Sequence, residues 1–241
     1  PAPTPTPSPT PTPAPPPSVN YDTAEYRSSN GAAVSGAIAA YNRGATGAGV
    51  KAAVIDSGIN PSLSEFAGKI DPASRDVTLG ARAMGDDDGH GTAVAGVIAA
   101  NRDGVWMHGV AFDSTIVALR ADSPGSCLDA EDDCAFSDSS IARGVDAAIA
   151  AGARVINMSL GGSQPGTSLI NALNRAVTAG VVVVISAGND GEDATKGVTA
   201  DAFAAVPASR FPSHVIVAGS VGTLNKDTQQ VGSLDQISPF S

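Results

Sequence analysis

Short apolar runs alternate with longer segments of helical character along most of the chain. Each run is four to six residues long and is flanked by glycine, alanine or polar residues, which is typical of buried β-strands. On this basis we predict strands at residues 50–55, 114–119, 154–158, 181–185 and 215–218.

Three longer segments between these strands have the length and apolar content of buried helices. Gly152 and Gly180 end two of them, and Thr167 is the predicted N-cap of the last. The helices are predicted at residues 90–100, 139–151 and 168–179. Alternating strands and helices predict an α/β fold, a three-layer doubly wound parallel sheet. Ligands bind at the carboxyl ends of the strands in such sheets, so residues that directly follow a strand are the functional candidates.

Composition agrees with this architecture and separates the N-terminus from it. Aromatic residues are only 4% of the chain, and a core of small and β-branched residues suits helices packed closely on a parallel sheet. Residues 1–17 are almost entirely Pro, Thr, Ala and Ser, and such a run remains extended and solvated. We therefore predict a disordered spacer at residues 1–20 and one domain at residues 21–241.

The formal net charge of −10 limits the partners. Nucleic-acid binding needs basic patches that displace counterions, and anionic membrane surfaces attract basic segments. No apolar run is long enough to span a bilayer. We expect a monomer without a nucleic-acid partner and without membrane contact by this segment.

Cys127 and Cys134 lie close together in the segment GSCLDAEDDC. A close pair in an acidic loop indicates a local disulfide and therefore an oxidising compartment. Two free thiols in a cytosolic protein remain the alternative. A metal site is disfavoured because no histidine lies nearby to complete a four-ligand set.

Asp56, His90 and Asn189 follow or begin successive elements of the predicted sheet. Taken singly, each has a structural explanation, as a cap, a helix-start residue or a turn residue. Taken together they suit nucleophilic catalysis. A carboxylate orients the imidazole, the imidazole accepts a proton from a nucleophile, and the carboxamide stabilises the developing oxyanion.

The segments AVIDSGIN, DGHGTAVAG, INMSLGG and ISAGNDG resemble the successive signature segments of the subtilisin family, in the family's order, over about residues 45–241. The resemblance implies a serine-type endopeptidase that hydrolyses peptide bonds. It implies that Asp56 is the acid of the catalytic triad, His90 the general base and Asn189 the oxyanion donor.

The same resemblance implies where a polypeptide substrate binds. The edge that pairs with an extended substrate is expected at Ser159, Leu160, Gly161 and Gly162. Ala187 and Gly188 are expected to line the pocket for the side chain that precedes the scissile bond.

Two departures from the family pattern matter. Ala93 stands where the family often has a second histidine, with no expected loss. The family's nucleophile lies in a Gly-Thr-Ser segment C-terminal to the oxyanion asparagine, and no such segment follows Asn189 before Ser241. The tripeptide at residues 166–168 precedes Asn189 and is predicted to start a helix. We therefore expect a C-terminally truncated subtilisin-like fold without the catalytic serine.

The proline-rich leader and the paired cysteines also resemble the passenger domains of bacterial autotransporter subtilases. This is an analogy at the level of the fold family. The resemblance implies a secreted protein or one exposed on a bacterial cell surface.

Three other functions compete with the peptidase interpretation of the sequence. The glycine-rich residues 44–49 precede a strand, whereas a phosphate-binding loop follows one. A metal-dependent hydrolase could use Asp56, Asp88 and His90, and a non-catalytic module could hold peptides without cutting them. No cofactor is predicted. Calcium is left open, since some family members bind it, but residues 86–88 are interpreted as a solvated turn.

The 241-residue chain alone is expected not to hydrolyse casein, because a general base without a nucleophile cannot form an acyl-enzyme. Incubation with casein and with a serine-directed fluorophosphonate checks this. Turnover that the fluorophosphonate abolishes would show that a serine of this chain is the nucleophile.

Overall fold

A computed structural model describes residues 19–128, 134–189 and 200–220 of the chain. Most of the predicted spacer at residues 1–20 and the C-terminal residues after 220 lie outside these ranges. The division into a spacer and one domain therefore stays a prediction.

A six-stranded sheet forms the centre of the described structure, in the order β2-β3-β1-β4-β5-β6. Every strand pairing in it is parallel. The strands are β1 Lys51–Asp56, β2 Arg75–Asp76, β3 Thr115–Arg120, β4 Val155–Met158, β5 Val182–Ser186 and β6 Val215–Ala218. The five predicted strands are present within one residue of their predicted bounds. Two-residue β2 is too short to give an apolar run.

Helices connect the strands and precede them. They are α1 Ala24–Ser28, α2 Asn30–Val34, α3 Ile38–Tyr41, α4 His90–Ala99, α5 Asp138–Ala150, α6 Thr167–Thr178 and α7 Ala202–Arg210. The predicted N-cap of α6 is wrong, because Gly166 is the N-cap and Thr167 is the first helical residue. No side chain caps α6 from that position, and the N–H of Gly166 donates to the carboxylate of Asp138 instead.

Both faces of the sheet are covered, as the predicted three-layer α/β fold requires. Along β1, Ala53 and Ile55 face the core that α5 and α6 cover, and Ala52 and Val54 face the core that includes α4. Small residues permit this close packing. A Cβ at Gly144 of α5 would lie only 3.0–3.2 Å from side-chain atoms of Ile55.

The N-terminal helices α1–α3 form a small aromatic cluster that the apolar pattern did not predict. Their Tyr26 and Tyr41 pack with Phe112 and with the ring of His108, which is 1% exposed. The hydroxyl of Tyr41 donates to the carbonyl of Val110 at 2.8 Å. These contacts fix the helices to the loop that follows α4.

No helix in the described ranges is both long and apolar enough to cross a membrane.

The loop after α4 packs directly on the backbone of that helix, and this contact generates a prediction. A Cβ at Gly109 would overlap the backbone of Ala99. We expect Gly109→Ala to lower the free energy of unfolding by about 1–3 kcal/mol, because the backbone must shift to admit the methyl group. Urea unfolding measures this. Gly219→Ala is the matched control, because no described residue has an atom within 4 Å of a Cβ there. Equal effects of the two substitutions would contradict the close approach.

Candidate active site

Asp56 and His90 meet at the carboxyl end of β1. Asp56 is the last residue of β1 and His90 is the first residue of α4. Nδ1 of His90 lies 2.8 Å from Oδ1 of Asp56, and the carboxylate side chain is 1% exposed while half of the imidazole is exposed. The other ring nitrogen, Nε2, lies on the far side of the ring from Asp56. The pair therefore has the orientation that a carboxylate-assisted general base requires.

Asp56 is held by its own neighbour. Its Oδ1 accepts a hydrogen bond from the backbone N–H of Ser57 at 2.7 Å, and the Ser57 hydroxyl oxygen lies 3.2 Å away. Oδ2 is buried and has no hydrogen-bond donor among the described residues. The positive charge of a protonated His90 is thus the main compensation for this buried carboxylate.

Asp86 fixes the start of α4. Its carboxylate accepts from the N–H of Gly89, from the N–H and hydroxyl of Thr92, and from the Ser57 hydroxyl, all within 2.8 Å. The Ser57 oxygen in turn accepts from the N–H of Gly91 at 2.9 Å. One carboxylate therefore connects the end of β1 to the first turn of the helix that carries His90.

The interpretation of residues 86–88 as a solvated turn holds for Asp87 and Asp88, which are exposed, but not for Asp86, which is half-buried. Asp86 has the anchoring contacts above, Asp87 pairs with Arg120, and Asp88 accepts the backbone N–H of His90 at 3.1 Å. The signal for Asp86 is present in the sequence. An aspartate just ahead of a helix start is typical of a residue that binds the free N–H groups of the first turn.

A glycine pair lets β1 and α4 approach closely. Gly58 has φ +125°, and a Cβ at Gly91 would overlap the carbonyl oxygen of Gly58 and lie 3.1 Å from Cβ of Asp56. Any larger residue at position 91 would separate the two elements. The contact between the side chains of Asp56 and His90 therefore requires a glycine directly after His90.

A buried charge network supports the same region from β3. Arg120, aligned with Asp56 across the β1–β3 pair, binds the carboxylates of Asp122 and Asp87 and the carbonyl oxygen of Gly85. Arg82 joins Asp122 to Asp76. The side chains of Arg120, Asp122 and Asp76 are at most 4% exposed. The segment that leads to His90 is therefore tied to β2 and β3.

The charges around His90 favour its protonated form. The hydrogen bond to Asp56 raises the pKa of the imidazole, partial burial opposes this, and the charges of Asp56, Asp88 and Asp86 add to the rise. Burial would raise the pKa of Asp86, but its hydrogen bonds from Thr92, Gly89 and Ser57 outweigh burial and lower it. The folded protein holds the His90 proton more tightly than the unfolded chain. That stabilisation is complete below the unfolded pKa of about 6.5 and is lost as the pH rises through the raised folded pKa.

The remaining candidates lie at the same edge of the sheet, after β4 and β5. The segments that follow these strands are joined by a hydrogen bond of 2.7 Å from the Ser186 hydroxyl to the carbonyl oxygen of Leu160. Asn189 is exposed and follows Gly188, whose φ is +96°. Since β4 lies between β1 and β5 in the sheet, all predicted site segments follow the carboxyl ends of three neighbouring strands.

The four residues predicted to pair with substrate are not equally available. Gly162 donates its N–H to Asp201 at 2.9 Å, and its carbonyl oxygen accepts from Phe203 at 3.2 Å. Leu160 is 7% exposed. Gly161 is exposed, and its backbone groups have no hydrogen-bond partner among the described residues. Backbone pairing with another chain is therefore possible mainly at Ser159 and Gly161.

Two further predicted features concern cysteine and metal. The structure joins Cys127 and Cys134 by a disulfide bond across seven positions. Within the described ranges, no group of three or more His, Cys, Asp or Glu side chains is placed to hold a metal ion. Asp88 in particular is engaged with the backbone of His90.

The Asp56–His90 contact gives a prediction that needs no catalysis. Replacing Asp56 with Asn removes the largest cause of the raised imidazole pKa, so the pKa of His90 is expected to fall. A pH titration of the His90 Cε1 proton by NMR measures the change. The control is Asp71→Asn, because Asp71 pairs with Lys51 at the other end of β1. An unchanged titration in Asp56→Asn would contradict the contact.

Comparison with known proteins agrees with this geometry. The model of the subtilase family matches residues 47–241. Subtilisin BL of Lederbergia lenta is 39% identical over 158 residues, which cover 64% of this chain and 52% of that protein. A subtilisin of Bacillus pumilus is 35% identical over 189 residues, covering 78% and 62%, and subtilisin E of Bacillus subtilis is 34% identical over 193 residues, covering 80% and 45%.

The chain therefore spans about half the length of the curated relatives that it matches. The family match extends over most of the chain and includes every residue of the site described above. The chain belongs to the subtilase family.

Proposed function

We propose that the protein that contains this chain is a serine endopeptidase, in which Asp56 and His90 are two members of the catalytic triad. The observation that carries the proposal is the 2.8 Å hydrogen bond between Nδ1 of His90 and the buried Asp56. This bond fixes the tautomer with the proton on Nδ1, so Nε2 has its lone pair free as a base.

The proposed reaction starts with proton transfer to Nε2 of neutral His90. A serine outside the described residues supplies the hydroxyl, its oxygen attacks the scissile carbonyl carbon, and the imidazolium that forms is stabilised by Asp56. The same proton then passes to the leaving amine as the peptide C–N bond breaks. Water repeats the sequence on the acyl-enzyme and releases the acid product.

Asn189 is proposed to stabilise the tetrahedral intermediate. Its amide can donate a hydrogen bond to the oxyanion from the end of β5, at the sheet edge that also carries His90. Ser159 and Gly161 are proposed to pair with an extended substrate, with Leu160 and Gly162 supporting their backbone from behind. Ala187 and Gly188 are proposed to line the pocket for the residue before the scissile bond.

A polypeptide substrate and an extracellular location belong to the same proposal. The relatives that are similar in sequence are named as subtilisins and alkaline proteases. A disulfide between Cys127 and Cys134 suits an oxidising compartment. The proposal has three finer parts. The protein is secreted or displayed on a bacterial cell surface, it originates as a passenger domain, and it is a monomer.

The proposal is tested in the protein expressed with any coding sequence that follows residue 241. Asp56→Asn is expected to lower kcat on casein by about 10⁴-fold, because His90 loses its orientation. Asn189→Ala is expected to lower it by about 10²- to 10³-fold through loss of one oxyanion donor. Asn174→Ala, at an exposed position of α6, is the matched control and should leave kcat unchanged.

The pH dependence gives a second readout in the same assay. The base must be neutral to act, so the raised pKa of His90 places the acidic limb of the pH–rate profile at a pH above the pKa of an ordinary imidazole.

Peptide binding without hydrolysis and without fluorophosphonate labelling would instead identify a non-catalytic binding module.

A further inference from the structure

Five hydrogen bonds from the described residues converge on the carboxylate of Asp86. Its Oδ2 accepts the N–H of Thr92 at 2.8 Å and the Thr92 hydroxyl. Its Oδ1 accepts the N–H groups of Gly89 at 2.8 Å and of Asp88 at 3.3 Å, and the Ser57 hydroxyl lies 2.8 Å from the same atom. All of these partners are donors, so a side chain must offer two acceptor oxygens to satisfy them together.

The Ser57 hydroxyl stands between two carboxylates and has one proton to donate. Its oxygen lies 2.8 Å from Oδ1 of Asp86 and 3.2 Å from Oδ1 of Asp56. The shorter distance assigns the proton to Asp86, because a hydroxyl donates a single hydrogen bond. Oδ1 of Asp56 is thereby left to the N–H of Ser57 at 2.7 Å and to Nδ1 of His90 at 2.8 Å.

Asp86 also holds the first turn of the helix that carries His90. A helix start leaves its first N–H groups without intrahelical partners. The N–H of Thr92 binds Asp86 directly, and the N–H of Gly91 binds the Ser57 oxygen at 2.9 Å. The Ser57 hydroxyl in turn donates to Asp86, so the end of β1 and the start of α4 are joined through one carboxylate.

We propose that Asp86 is a positioning residue of the peptidase site, which keeps Nδ1 of His90 on Asp56 during the reaction. The inference rests on the proposed function and adds one residue to it. Asp86 takes the Ser57 proton, so that the hydroxyl does not compete with the imidazole for Oδ1 of Asp56. It also anchors the first turn of α4, so that the ring keeps its place when it gains and loses a proton.

The alternative role of Asp86 is that of a helix cap alone. A cap stabilises the folded protein, and its loss lowers the free energy of unfolding without changing the chemistry of the folded state. The exchange of the His90 Nδ1 proton with water separates the two roles. This proton is protected from exchange while it is bonded to Asp56.

The test is Asp86→Asn in the protein expressed with any coding sequence that follows residue 241. Asparagine has the same shape, but its NH₂ group replaces one acceptor oxygen and faces a donor. The Nδ1 proton of His90, observed by NMR, is expected to exchange faster with water than in the unmodified protein. On a peptide that the unmodified protein cleaves, kcat is expected to fall about 10- to 100-fold with KM unchanged, because a small misplacement of the base slows proton transfer.

The kcat values are compared on the plateau of the pH–rate profile, where His90 is neutral. The hydrogen bond to Asp56 raises the pKa of His90, partial burial opposes this, and the charges of Asp56, Asp88 and Asp86 add to the rise. Asp86→Asn is therefore expected to lower this pKa and to move the acidic limb of the profile to lower pH. A loss of kcat that persists on the plateau reports the position of the imidazole and not its pKa.

Asp87→Asn is the matched control. It removes the same charge one residue away, but Asp87 is exposed and pairs with Arg120 of β3. Arg120 keeps its bond to the carbonyl oxygen of Gly85 in this variant. The Nδ1 exchange rate and kcat should be unchanged. Equal losses in both variants would attribute the effect to the charge of the turn and overturn the assignment to Asp86.

Thr92→Val decides the question if Asp86→Asn does not fold. Valine keeps the shape of the side chain and removes one donor to Asp86. The Thr92 hydroxyl group binds Asp86 and the N–H of Asn60, so its loss reaches His90 through the start of α4. Faster Nδ1 exchange and a smaller loss of kcat are expected. Unchanged exchange and kcat in the variant that folds overturn the positioning role, whatever loss of stability urea unfolding shows.

The two readouts separate this inference from the proposed function. Nδ1 exchange needs neither substrate nor a serine. Hydrolysis by the unmodified protein, together with exchange that Asp86→Asn leaves unaltered, overturns the role of Asp86 while the endopeptidase proposal stands. Absence of hydrolysis by the unmodified protein overturns the endopeptidase proposal, and with it the catalytic purpose of Asp86, even if the exchange rate rises in Asp86→Asn.

Discussion

The site depends on a carboxylate that the fold places out of water at the end of its central strand. Asp56 is almost completely buried, and one of its oxygens has no hydrogen-bond donor among the described residues. Such a group needs hydrogen bonds or a nearby positive charge to offset its burial. The imidazole of His90 supplies that charge when protonated. One hydrogen bond therefore both compensates the buried carboxylate and orients the imidazole.

The loop before His90 supports this bond from outside. Asp86 binds the first turn of α4 and the hydroxyl beside Asp56, and Arg120 binds the neighbouring Asp87 from β3. Each carboxylate of the acidic turn thus has a different partner. A run of like charges that would repel in isolation is stable because a buried cation and several helix N–H groups surround it.

The sequence is sufficient to predict five of the six strands of the sheet, and the reasons are local. Parallel strands buried on both faces are continuous apolar runs, so β1, β3 and β5 are evident, and their carboxyl ends identify Asp56 and Asn189. What the sequence leaves hidden depends on contacts between distant segments. The roles of Asp86, Arg120 and Asp201 follow from neighbours 6 to 39 positions away. The short helices α1–α3 are stabilised by an aromatic cluster rather than by an apolar stripe.

The space that Asp201 shares with Gly161 and Gly188 has an evolutionary consequence. A methyl group at either glycine position would meet the carboxylate, so these three positions cannot vary independently. Family members with a larger residue at one glycine position should carry a smaller side chain, or a displaced helix start, at the position of Asp201. Substitutions at these positions should therefore covary among homologues. An ancestral protein in which only one of the three residues had changed would have been poorly packed at this place.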